Sequence, residues 1–131
     1  MESRETVAPV SKKMLWAGYI VSALPVLLLL FSGVAKFVQP AGMDEEFKRL
    51  GWDGVRPTTL GIVELACTIV YIIPRTAVLG AILLAAYLGG ATATHVRIGD
   101  PFYSPIILGV LLWLGLYLRD PRLRSLVPLR S

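Results

Sequence analysis

Glu64 is the residue of this chain that most needs a physical explanation. It is the only charge among the 18 residues between Arg56 and Arg75, and it lies eight positions past Arg56. On a helix that is about 12 Å from the boundary, at ~1.5 Å per residue. A carboxylate in such apolar company must be protonated, paired or open to a polar cavity. Gly61, Glu64, Thr68 and Tyr71 recur at spacings of three and four, so on a helix they share one face. Tyr87, Ala91, Thr94 and His95 do the same on the following apolar stretch. If these two helices run antiparallel, Tyr87 comes to the depth of Glu64 and His95 sits nearer the end. Tyr87 is then the direct partner, while His95 reaches Glu64 only through a pitched helix, a water or a ligand. Lys36 closes the first apolar run at the same end, and Arg97 stands at the rim.

The chemistry open to this set is recognition of an amphiphile. A pocket bounded by Lys36, Glu64, Tyr87, His95 and Arg97 could hydrogen-bond a polar head group, including the carbonyl oxygens of a quinone, with the ring and tail among Leu and Ala side chains. Glu64 and His95 could also pass a proton. The structural alternative is that both satisfy buried hydrogen bonds and fix helix register. Metal chemistry finds no ligand set: one histidine and one cysteine, Cys67, do not complete a zinc site, and no Cys-x-x-Cys is present. Leu88-Gly89-Gly90-Ala91-Thr92 lies inside an apolar run and is not a phosphate loop. No intrinsic cofactor is therefore expected, and a quinone or a lipid is the ligand the residues could hold.

These groups must be positioned by elements of an apolar kind. Hydrophobic residues make up 55% of the 131 and charged ones 17%, and the charges fall between the apolar runs or at the ends of the chain. Mean hydropathy is +0.66, above what a water-soluble core requires. Lys13 and Lys36 enclose 22 uncharged residues, Arg56 and Arg75 enclose 18 around Glu64, Arg75 and His95 enclose 19, and Asp100 and Arg119 enclose 18. A bilayer core of roughly 30 Å takes about 20 helical residues. The expected fold is all-α: an integral membrane four-helix bundle in a single domain, 1–131, with helices at about 12–37, 57–74, 76–96 and 102–118. A soluble bundle would need a polar stripe on each helix, and Ile106 to Leu118 has none.

Arg4, Lys12, Lys13, Arg75, Arg119, Arg122, Arg124 and Arg130 fall on one side of these spans, against Lys36, Lys48, Arg49, Arg56 and Arg97 on the other. The excess predicts both termini in the cytoplasm and residues 38–56 as an external loop. Within it, Met43, Phe47 and Leu50 have helical spacing, with acids first and bases last, which suits a short amphipathic helix lying on the outer face, the alternative being an ordinary ordered loop. Residues 1–11 read as a loose polar tail. The run after Lys13 exceeds a secretory h-region of about 7 to 15 residues, so it reads as a retained span. The tail from Leu118 alternates basic and apolar residues and suits an anionic headgroup surface; nothing accompanies it that would suit a nucleic acid. Ala81 with Ala85, Ala85 with Gly89 and Ala86 with Gly90 allow close helix approach, or leave room for a ligand.

Phe31-Ser32-Gly33-Val34-Ala35-Lys36-Phe37, Leu60 to Leu65, Leu79-Gly80-Ala81, Tyr87 to His95 and Trp113 to Pro121 together resemble the DoxX-like family of small bacterial membrane proteins, over about Ala17 to Leu126. The resemblance implies a four-helix membrane bundle in the bacterial cell membrane and draws attention to Lys36, Glu64 and His95. Members of the wider family are associated with thiosulfate oxidation coupled to quinone, with aromatic or quinone detoxification and with redox-stress membrane complexes. No fused redox module is read in these 131 residues, so the expected role is an accessory subunit of a larger, redox-linked membrane complex. The alternative is a binding protein for quinone or another hydrophobic metabolite. The expected partners are membrane lipids, a membrane-protein complex or a soluble redox protein.

Overall fold

The computed structural model describes residues 10–127. They form α1 (Lys12–Val38), α2 (Met43–Arg49), α3 (Pro57–Ile72), a 3-10 turn (Pro74–Thr76), α4 (Ala77–Arg97), α5 (Tyr103–Arg119) and α6 (Pro121–Arg124), with no strand among the described residues. Most of the tail expected over residues 1–11 lies outside them, as does the end of the basic tail beyond Val127.

Local chemistry sets the helix ends. The Ser11 side chain accepts from the Met14 amide and starts α1. Gln39, left-handed at φ 53°, ends it and returns its N–H to the Ala35 carbonyl. Pro25 is buried within α1 and does not interrupt it. Pro57 occupies the first position of α3, where its missing N–H has no role. At the other end Ile73 is forced to an extended conformation (ψ 120°) by the proline after it. That makes α3 shorter than the apolar run from which it was read. Counting uncharged residues includes Ile73 and Pro74 there, and Pro101 and Phe102 ahead of α5, none of which is α-helical.

The consequence is two classes of long helix. α1 and the segment Pro74–Arg97 are long and apolar enough to cross a membrane, whereas α3 and α5 are shorter apolar helices. At 16 and 17 residues the latter two extend about 24 and 26 Å, against roughly 30 Å of hydrocarbon.

The four long helices close a square in which α1 packs on α3 and α5, and α4 packs on the same two. On α1 and α3 the buried stripe is mostly small or polar, with Gly18, Ser22, Pro25, Leu29 and Gly33 on α1 and Gly61, Glu64, Thr68 and Tyr71 on α3, and α4 and α5 pack Leu84, Leu88, Leu112 and Leu116 against it. Large apolar residues also cover the outward faces, among them Trp16, Ile20, Leu27 and Phe31 on α1, Ile62 and Ile69 on α3, and Ile107 and Val110 on α5. A bundle in water would give those outward faces to polar and charged side chains. The stripes meet closely. A Cβ on Gly80 would collide with the Tyr71 backbone, and one on Gly115 with Ser22, so the α3–α4 and α1–α5 crossings require glycine. The tail folds back: Leu123 is buried, and Arg124 donates to the Tyr117 and Leu118 carbonyls at the end of α5.

Candidate functional site

Glu64 is held at the inner face of α3 with 1% of its side chain exposed. Its Oε1 accepts from Lys36 Nζ at 2.8 Å, Tyr87 O–H at 2.8 Å and Ser32 O–H at 3.4 Å. Lys36, with 15% of its side chain exposed, also donates to Ser32 at 2.8 Å. The carboxylate is thus tied to α1 on one side and α4 on the other. Its Oε2 is buried and has no hydrogen-bond partner among the described residues. A fully desolvated carboxylate is tolerable only with charge-assisted donors of this kind.

The other two expected members stand apart. His95 Nδ1 lies 2.7 Å from the Ala91 carbonyl of its own helix, so the ring is oriented by α4 and does not touch Glu64. Arg97 donates to the Leu50 carbonyl at 2.7 Å and helps hold α2 in place. Gly51, at φ 88°, makes that turn possible, and a side chain there would meet the Arg97 guanidinium.

The segment read as an amphipathic helix is α2, and it forms a wall. Phe47 is buried, Asp44 and Glu45 face out, and the helix end is fastened by Arg49, which bonds Glu46 at 2.6 Å and Asp100 at 2.7 Å. The Arg49 guanidinium pulls the Glu46 carboxyl below its usual 4.5, and the two carboxylates in turn raise the Arg49 pKa. Between α2 and α4 lies a cavity of about 630 Å³. Lys36, Glu46, Tyr87, Thr94 and His95 and the indole N–H of Trp52 provide its polar lining, with Phe47, Leu50 and Leu60 among the apolar groups. Glu64 lies behind this wall, reached through Lys36 and Tyr87.

The small residues of α4 divide their roles. Gly80 and Ala81 are buried against neighbouring helices, whereas Ala86 and Gly90 border the cavity and a Cβ on Gly90 would meet open space. Ala85 and Gly89 border a second, apolar groove of about 510 Å³ shared with α5.

Sequence reasoning did not find Ser32, which lies one helical turn before Lys36, or a polar cluster at the opposite end of the bundle. There the Tyr71 hydroxyl donates to the Leu112 carbonyl at 2.6 Å and lies 3.0 Å from Ser22 Oγ. Arg119 reaches both hydroxyls, at 3.1 and 3.2 Å, and its guanidinium carbon lies 4.9 Å from the Tyr19 ring centre. Tyr71 was placed on the correct face, but nothing in the spacing pointed to an arginine 48 residues away. Among the described residues no group of three or more His, Cys, Asp or Glu side chains could hold a metal ion. Cys67 is half-buried beside the core.

A family model described as the DoxX-like family matches residues 20–116. No curated protein and no solved structure matches the chain.

Proposed function

This chain belongs to the DoxX-like family, and we propose that it is a multi-pass protein of the bacterial cell membrane that binds an amphiphile of the quinone or lipid class between α2 and α4. The observation that carries this reading is the cavity of about 630 Å³, which joins polar groups backed by a buried carboxylate to apolar walls. The head group of the ligand sits near Lys36, Tyr87 and His95, and its body lies against Phe47, Leu50 and Leu60. Glu64 positions Lys36 and Tyr87 from behind and does not itself line the space.

In this reading all four long helices cross the membrane. The outward apolar faces of α3 and α5 support that, and the bilayer thins around them by a few ångströms. The excess of Lys and Arg near the termini supports cytoplasmic ends, so the cavity opens to the outer half of the membrane. Gly90→Leu tests the binding role because it places a side chain in open space at the cavity wall. The variant is expected to fold as the wild type does and to lose a ligand carried through gentle extraction. Retention of the same ligand would remove the cavity from consideration.

A second reading, an accessory subunit of a redox-linked membrane complex, is favoured by the apolar groove between α4 and α5 at Gly89, Gly109 and Trp113. Crosslinking from Val110 in native membranes tests it. A defined membrane-protein adduct supports this reading, and crosslinks to lipid alone count against it.

A further inference from the structure

The polar side chains that α4 gives to the cavity wall have their hydrogens committed within the protein. Tyr87 gives its O–H to Glu64 at 2.8 Å, and Thr94 gives its O–H to the Gly90 carbonyl at 2.8 Å. His95 Nδ1 lies 2.7 Å from the Ala91 carbonyl. A carbonyl only accepts, so in the neutral ring Nδ1 carries the hydrogen and Nε2 is left as a lone pair. All three residues line the cavity, and with their hydrogens so committed, an acceptor lone pair is what each has left to offer a ligand. Glu46, on the α2 wall, is an acceptor whose two oxygens are held by Arg49 at 3.2 and 2.6 Å. The donors left at the wall are on the other sides: one N–H of Lys36, beyond those given to Ser32 and Glu64, and the indole N–H of Trp52.

From this division we infer that the cavity selects an amphiphile whose head group carries a hydroxyl donor over one of the same shape that offers only carbonyl or ether oxygens. The inference rests on the cavity being the ligand site proposed above, and it names the ligand chemistry there. A hydroxyl gives its hydrogen to a lone pair on α4 while its oxygen accepts from Lys36 or Trp52. A bare carbonyl or ether satisfies those donors and leaves the α4 acceptors desolvated and unmet, which is the more costly outcome in an apolar enclosure. Hydroxyphenyl and hydroquinone head groups meet both the donors and the acceptors of the site, and the corresponding quinone, which meets only the donors, binds there more weakly. Sites built around a ligand hydroxyl discriminate strongly against analogues lacking it, and for a partly open cavity the expected preference is at least about tenfold.

The matched probes are 4-octylphenol and 4-octylanisole, which share an alkyl body and a ring oxygen but differ in the donor. Binding is measured calorimetrically on the full chain in nanodiscs, with Gly90→Leu protein as the blank for partition into lipid. The phenol is expected to bind at least about tenfold more tightly than the ether. His95→Phe, which keeps a ring and removes Nε2, is expected to narrow that ratio. Equal affinities for the two probes, both lost in Gly90→Leu, would overturn the hydroxyl preference and leave the binding reading intact. No saturable binding of either probe beyond the Gly90→Leu blank would overturn both. A preference that persists unchanged in folded His95→Phe protein would overturn the part assigned to His95. The wild-type ratio decides the main claim even where a variant does not fold.

Discussion

Replacing Lys36 by methionine leaves the Glu64 carboxylate, 1% exposed, without its cation. Removing one partner of a buried pair costs about 3–5 kcal/mol, because the remaining charge is neither hydrated nor compensated. Tyr87 and Ser32 still donate to Glu64 Oε1, so the lower end, about 3 kcal/mol, applies. Glu64→Leu removes the acceptor shared by Lys36, Tyr87 and Ser32. Lys36 retains 15% exposure and some access to water, which puts this loss at about 2–3 kcal/mol. The double variant Lys36→Met/Glu64→Leu removes both charges and fills the space with apolar groups, an exchange that is often close to neutral, so about 1–2 kcal/mol is expected. The singles then exceed the double by about 3 kcal/mol or more, far outside the ~0.5 kcal/mol within which independent sites add. Reversible unfolding in mixed micelles with increasing SDS, followed by far-ultraviolet circular dichroism, measures all four proteins. Additive losses would show that Lys36 and Glu64 do not act as a pair and would refute the reasoning.

The crossing glycines and the cavity glycine should separate cleanly. Gly80→Ala is expected to lose at least about 2 kcal/mol by overpacking against the Tyr71 backbone, whereas Gly90→Ala should be within about 0.5 kcal/mol of wild type in the same assay. Tyr71→Phe removes the hydroxyl that bridges Ser22, Leu112 and Arg119 and should destabilise by about 1–3 kcal/mol, with the loss suppressed in an Arg119→Leu background. The fastening of α2 should respond to acid and not to mild alkali. Because the folded pKa of Glu46 is lowered, the stabilisation is present above the unfolded value and disappears as pH falls below about 4.5. Trp52 emission should therefore shift in that acidic range in wild-type protein, and the shift should already be present at neutral pH in Arg49→Ala.

The apolar patterning and the face shared by Gly61, Glu64, Thr68 and Tyr71 were legible because a helix brings residues three and four apart together, and all four are buried on α3. The depth match of Tyr87 with Glu64 followed from antiparallel neighbours at a fixed rise per residue. Helix ends were less legible, since a count of uncharged residues includes Ile73, Pro74, Pro101 and Phe102, which geometry keeps out of the helices. The placement of α1 beside α5 was not legible at all. That pairing depends on the contact of Gly18 and Ser22 with Gly115, residues about a hundred positions apart with no common periodicity. The Arg119 cluster was missed for the same reason. The cavity itself arises from what α4 lacks: alanine at 86 and glycine at 90 suited tight packing equally well until the position of α2 was known.

The central claim is that the space between α2 and α4 holds an amphiphile. Native mass spectrometry of the protein released gently from its own membrane tests it most directly, comparing wild type with Gly90→Leu. A stoichiometric small-molecule adduct is expected on the wild type and should be missing from the folded variant. The same adduct on both proteins, or none on the wild type, would contradict it.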